Sequence, residues 1–198
     1  MRSPALQTLV TAAEAAFTTH AADAASRRSI ARAFAALETV RPASGRDAVR
    51  LPVCDLWLDK ALSSAELTGD LRHLADAFLA VETELCWQPR SGATANASAD
   101  FAAGHANAIL IGPGGIERRS DVWLGVSLLA PGVRYPDHTH PPEETYLVLT
   151  PGDFSQDDGP WFQPGPGGSF YNPPGILHAM RAGRTPLFAF WLLLAKDN

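Results

Sequence analysis

Apolar positions recur at helical spacing through the first part of the chain. Leu6, Leu9, Val10, Ala13 and Phe17 lie on one face of a 3.6-residue repeat, and Ala31, Phe34, Ala35 and Leu37 continue the pattern in a second stretch. Pro42, Ser44 and Gly45 interrupt it. Residues 50–60 form a short apolar run that reads as strand or loop. Ser63 or Ser64 is placed to cap a further helix, and Leu71, Leu74, Ala75, Phe78, Leu79 and Val81 give residues 71–85 an amphipathic face. The first ninety residues therefore read as a helical extension.

The pattern then changes. Residues 122–129, 144–149, 169–171 and 187–194 are β-branched, aromatic or alternating, and Pro/Gly turns separate them at 131–132, 151–153, 164–168 and 173–175. Short strands punctuated this way predict a β-sandwich or barrel over residues 91–198. At 198 residues, with 46% hydrophobic and 19% charged residues, the chain is long enough to bury a core without covalent staples. The net charge of −5 and the scattering of its 16 lysines and arginines exclude the basic stripe of a nucleic-acid binder. The two cysteines, Cys54 and Cys86, sit in apolar contexts and read as buried free thiols rather than a disulfide framework. The N-terminal stretch reads as an amphipathic helix rather than a signal peptide, and no segment has the apolar run of a membrane span, so a cytoplasmic location is expected.

The chemistry concentrates between Gly132 and Tyr146, which reads G-V-R-Y-P-D-H-T-H-P-P-E-E-T-Y. His138, His140 and Glu144 form H-x-H-x-x-x-E, and His178 follows in P-P-G-I-L-H. In extended backbone, residues two apart share a face, so His138 and His140 share a parity, as do Glu144 and Tyr146. Three imidazoles and a carboxylate are a nitrogen and oxygen ligand set for a divalent first-row metal such as Zn, Fe(II) or Mn. His20, His73 and His105 have no comparable context.

These two segments resemble the paired motifs of the cupin superfamily, small β-barrels of the jelly-roll or double-stranded β-helix type that bind a divalent metal through three His and one Glu. The resemblance departs at two positions: the glycine closing the first motif arrives one residue late as Gly152, and Ala182 stands where the second motif often ends in Asn. The order Y-P-D-H-T-H-P-P-E-E-T-Y, then Y-N-P-P-G-I-L-H, after a helical N-terminal part, is similar to the cupin-type dimethylsulfoniopropionate lyases, most of all the short members of marine bacteria. That resemblance implies a metal-dependent β-elimination giving dimethyl sulfide and acrylate. It implies Tyr146 as the base that removes the α-proton and Tyr135 as its assistant at the substrate. A zwitterionic sulfonium carboxylate also needs aromatic faces for its cation; Trp123, Tyr135, Phe170 and Trp191 are the candidates, unranked by sequence.

The resemblance further implies a homodimer, and the helices are expected to cover a barrel mouth, act as a lid or form a dimer contact. Two alternatives share the ligand set: a cupin dioxygenase acting on a small acid, and a non-catalytic cupin that binds a small carboxylate.

Overall fold

The computed structural model describes residues 2–64 and 66–195, with the side chain of Ser64 outside the description. Helices α1 (Pro4–His20) and α2 (Ala24–Leu37) start where capping chemistry is available. Ser3 Oγ accepts from the Leu6 amide and Asp23 from the Ser26 amide. Leu6, Leu9, Val10, Ala13 and Phe17 are buried as their spacing predicts. In α2 the buried stripe is Ile30, Ala33, Phe34 and Leu37; Ala31 and Ala35 face outward, because an alanine-rich run gives the periodicity too little contrast.

Residues 50–60 contain no strand. Helix α3 (Pro52–Ser64) occupies this region, with Pro52 at a position whose missing amide proton costs a helix nothing. The next helix, α4 (Gly69–Leu79), starts after Thr68 rather than after Ser63, which belongs to α3; the Ser64 side chain lies outside the described residues. A 3₁₀ turn (Glu82–Glu84) and a short helix, α5 (Phe101–Gly104), precede the strands.

The strands are β1 (His105–Ile111), β2 (Val122–Leu129), β3 (Glu143–Val148), β4 (Gly152–Gln156), β5 (Ser169–Asn172), β6 (His178–Ala182) and β7 (Leu187–Leu194). Five of them form an antiparallel sheet in the order β1-β2-β7-β3-β5. Strands β4 and β6 pair opposite it, and isolated bridges from Arg134 to Arg181, His138 to His178 and Phe154 to Phe162 extend that second layer on both sides. Two facing antiparallel layers are the jelly-roll arrangement of a cupin barrel. The two positions where the sequence departs from the cupin motifs, Gly152 and Ala182, are cross-strand partners. A Cβ at residue 152 would lie 1.9 Å from Leu187 Cδ1, so the glycine is fixed by packing.

Each face of the large sheet has its own role. Val122, Leu124, Val126 and Leu128 of β2 and Phe188, Phe190 and Leu192 of β7 join the apolar residues of α1–α4 in one core. That explains why β7 reads as an unbroken apolar run: both of its faces are buried. The helices therefore lie against the outer face of the sheet, and none of their described residues lines the cavity on the inner face. Cys54 is buried in α3, where burial pushes its thiol up to about 11, and Cys86 is half-buried; both are free.

A buried charged network fastens helices to barrel. Glu117 receives Arg2 at 2.6 Å and Arg119 at 3.3 Å, with all three side chains at most 4% exposed. The two guanidinium groups also donate to the carbonyls of Ala36, Leu37 and Thr39 at the end of α2, satisfying orphaned carbonyls and the negative end of the helix dipole. Removing the carboxylate leaves buried Arg2 without its counter-charge and takes from Arg119 the weaker of its two, since Asp121 also receives that guanidinium at 2.7 Å. Glu117→Ala is therefore expected to destabilise the fold by about 3–5 kcal/mol in urea unfolding; a loss below about 1 kcal/mol would show that the network does not hold the layers together.

Candidate metal and substrate site

Strand register assembles the inner face. Trp123, Leu193, Glu144 and Asn172 form one row across β2, β7, β3 and β5. The next row is Ile109, Gly125, Trp191, Tyr146 and Phe170, and beyond it Asn107, Ser127, Ala189 and Val148 align. Because side chains in a strand alternate, these rows point the same way. Gly125 makes room for Trp191: a Cβ there would approach the indole to 2.2 Å.

The histidines come from the opposite layer. His138 and His178 exchange backbone hydrogen bonds of 3.0 and 2.9 Å, which places their rings 4.0 Å apart. The P-P-G turn closes against the first motif, with the Gly175 amide donating to the His140 carbonyl and Thr139 to the Gly175 carbonyl. All three imidazoles are oriented alike. Nδ1 of His138 lies 2.9 Å from the Pro136 carbonyl, that of His140 2.9 Å from Pro142 and that of His178 3.0 Å from Ile176. A carbonyl only accepts, so each Nδ1 carries the proton and each neutral ring presents Nε2 as a lone pair.

These ligand nitrogens lie within 4.8 Å of one another. Glu144 Oε2 is 3.4 Å from Nε2 of His140 and 3.3 Å from that of His178, yet neither nitrogen has a hydrogen-bond partner. Asn172 donates to Glu144 Oε2 at 2.9 Å and fixes the carboxylate. Buried acceptors facing one another without a donor are unfavourable unless a cation lies among them. The donor set thus fits a divalent metal held by His138, His140, Glu144 and His178. Burial, then the charge of His178, pushes His138 down to about 3, which keeps it neutral and ligand-ready. For Glu144, burial opposes ionisation, but the close imidazoles of His140 and His178 outweigh it and hold the carboxyl below the usual range. For His140, burial favours the neutral ring, but Glu144 outweighs it and raises the pKa.

A cavity of about 330 Å³ opens beside this cluster, lined by Tyr135, Tyr146, Trp123 and Trp191 together with His138 and His140. Phe170 does not line it. It stacks behind Tyr146 at 5.0 Å and 15°, and packs on Phe154 and Phe162, so it buttresses the tyrosine rather than facing a ligand. A separate cleft near Ala43–Ala48 and Gly114–Ile116 contains none of the histidines, tyrosines or tryptophans of this site. Burial, reinforced by the charge of Glu144, raises Tyr146 well above its ordinary pKa. Burial also raises Tyr135, with Arg90 and Asn107 pulling the other way.

Several contributors carry no motif in the sequence. Trp191 Nε1 donates to Ser127 Oγ at 3.1 Å, Ser127 donates to Asn107 Oδ1 at 2.7 Å, and Asn107 Nδ2 donates to Tyr135 Oη at 2.9 Å. This relay fixes Tyr135 as an acceptor from Asn107 and leaves its own proton to donate elsewhere. His105 is buried, stacks on Phe101 at 3.7 Å, and accepts the Arg90 amide on Nε2 at 2.7 Å. Only alternation within β1 signals Asn107 and His105, and small alanines dilute it there.

Replacing an outer support such as Asn172 by Ala is expected to lower Zn(II) affinity about 10–100-fold in a chelator competition, and His178→Ala to lower it further; unchanged affinity in His178→Ala would remove that residue from the ligand set. A second expectation concerns pH. Burial lowers the His105 pKa below 6.5, so its neutral form stabilises the fold; that contribution is complete above pH 6.5 and is lost as pH falls toward the depressed value. Urea midpoints between pH 7 and 5 should fall more steeply for the wild type than for His105→Gln, and parallel slopes would contradict this.

A sequence model of the dimethylsulfoniopropionate lyase family matches residues 25–189. The chain is 32% identical over 120 residues to dimethylsulfoniopropionate lyase DddQ of Ruegeria pomeroyi, a match that spans 60% of this chain and 59% of that relative's length. The crystal structure of DddQ from Ruegeria pomeroyi DSS-3 superposes with a TM-score of 0.73 at 26% identity, over 98% of this chain and 93% of the other. A structure described with the lyases RdDddP and RnDddQII gives 0.72 at 26% identity, over 98% and 95%. Among the described residues no helix is long and apolar enough to cross a membrane. With the family's sequence pattern running through most of the chain, and its solved members sharing the fold from end to end, this protein belongs to the dimethylsulfoniopropionate lyase family.

Proposed function

We propose that the protein is a metal-dependent carbon–sulfur lyase that cleaves dimethylsulfoniopropionate to dimethyl sulfide and acrylate. The observation that carries this reading is the shared inner face: Tyr146 stands two residues from Glu144 on β3, in a cavity with His138 and His140 and with indole walls. Membership in the lyase family and the end-to-end likeness to solved lyases support it.

The substrate carries a carboxylate, a weakly acidic α-CH₂ and a dimethylsulfonium on the β-carbon. A divalent ion held by His138, His140, Glu144 and His178 supplies, when bound, a Lewis acid for the carboxylate and positive charge beside the site. Tyr146, once its own phenol proton has been lost to solvent, takes the α-proton as phenolate. The α-C–H electrons form the new C=C bond, and the C–S pair leaves on sulfur as neutral dimethyl sulfide, so no acid is needed at the leaving group. In the ligand-free cavity, burial and Glu144 hold Tyr146 protonated. The substrate's own sulfonium brings positive charge toward the phenol, and in a low-dielectric cavity that favours phenolate. Trp123 and Trp191 offer π faces to the sulfonium. Tyr135, with Asn107 donating to its oxygen, has a proton available to orient the substrate.

Metal-loaded protein incubated with dimethylsulfoniopropionate under nitrogen is expected to release dimethyl sulfide into the headspace. Tyr146→Phe should lower kcat by about 10²–10⁴-fold, and His178→Ala should abolish turnover. No sulfide with Zn(II), Mn(II) or Fe(II) would overturn the lyase reading, and full activity in Tyr146→Phe would remove this tyrosine as the base.

A further inference from the structure

Arg90 is the one arginine or lysine among the residues lining the cavity. Several arginines around the barrel are neutralised: Arg134 by Asp137, Arg181 by Asp153, Arg2 by Glu117, and Arg119 by Asp121 and Glu117. Arg90 makes no ion pair with any described residue, and its Nε is closed off from solvent without a hydrogen-bond partner. A half-buried guanidinium in that situation has donor capacity left for an anion.

Arg90 is also held in place. Its main-chain amide donates to His105 Nε2 at 2.7 Å, and the other ring nitrogen of His105 bonds to the Phe101 carbonyl, which fixes the tautomer. The neighbouring Gln88 exchanges two backbone bonds of 2.9 Å with Asn107, the residue that donates to Tyr135. The guanidinium carbon lies 5.6 Å from the Tyr135 ring centroid, and Tyr135 in turn contacts His138 at 5.0 Å. The Arg90 charge is felt at Tyr135, Tyr146, His138 and His140. A planar, two-pronged donor pinned at the wall of a small cavity suits a carboxylate, and pinning it in advance lowers the cost of ordering it on binding.

We propose that Arg90 is a receptor for the substrate's carboxylate and a specificity-determining residue that selects compounds carrying a carboxylate. The inference rests on the reading of this cavity as a substrate site, and deepens it. A zwitterion placing its anionic end at Arg90 keeps its cationic end away from the guanidinium, free for the indole faces. The same charge disfavours sulfonium or ammonium compounds that lack a carboxylate, so the arginine selects by repulsion as well as attraction.

The probe is propionate, titrated by NMR into chelator-treated protein so that no metal contributes to binding. Wild-type protein should bind propionate, Arg90→Gln should bind it about tenfold more weakly or worse, and Arg90→Lys, which keeps the charge but not the fork, should fall between them. Propionamide should not distinguish the variants, and Arg184→Gln, at an exposed position outside the cavity, should match the wild type. Thermal unfolding checks that each variant is folded. Equal propionate affinity in wild type and Arg90→Gln, or no propionate binding by the wild type, would overturn the proposal. In the metal-loaded protein Arg90→Gln should raise KM for dimethylsulfoniopropionate more than it lowers kcat. The two readings fail separately. Arg90-dependent propionate binding without any lyase turnover would sink the lyase and leave the receptor; turnover with an unchanged KM in Arg90→Gln would sink the receptor and leave the lyase.

Discussion

The site depends on where three protons are held. Each of His138, His140 and His178 gives its Nδ1 proton to a main-chain carbonyl two residues away. That bond fixes tautomer and ring angle together, and it obliges every Nε2 to face inward as a lone pair. With Glu144 fixed by Asn172 in the same space, the protein has concentrated electron pairs where it has no donor to match them. Such an arrangement stores no advantage for the fold by itself. It becomes favourable when positive charge arrives, which is the physical basis of the proposed metal site.

The rest of the architecture packs around that cluster from both faces of the sheet. The apolar strand β7 divides the molecule: one face anchors the helices and the other presents Trp191 and Leu193 to the cavity. Phe154, Phe162 and Phe170 pack behind Tyr146, so the phenol meets Glu144 and the cavity in a defined place. The buried Arg2–Glu117–Arg119 network lies on the far side and keeps the helices on the outer face, leaving the cavity wall to Arg90 and its neighbours.

Much of this was legible in the chain. H-x-H-x-x-x-E followed by P-P-G-I-L-H names four residues whose side chains do converge, because parity along a strand and a Gly175 turn are local properties that sequence carries directly. Strands β2 and β7 were readable because each is a long apolar run bounded by turn residues. Helix α3 was not: a short apolar run has no period to separate strand from helix, and burial against β2 and β7 decides it. Strand β1 was hidden by its alanines, and β4 by a Pro-Gly-Asp sequence that reads as turn. Phe170 was one of four unranked aromatic candidates for the sulfonium, because residue type alone gives no depth; in the barrel Tyr146 stacks against it and it does not line the cavity. Ser127 and Arg90 carry no spacing signal, and Asn107 and His105 only a diluted alternation, since their roles come from contacts 15 to 64 residues apart.

The most direct test follows the bond that must break first. Metal-loaded protein would be given α-dideuterated and unlabelled dimethylsulfoniopropionate without oxygen, and dimethyl sulfide and acrylate would be quantified together over time. Proton removal in a β-elimination predicts equal amounts of the two products, slower turnover of the deuterated substrate and no oxygen requirement. Absence of sulfide, or sulfide formed only with oxygen uptake, would contradict it.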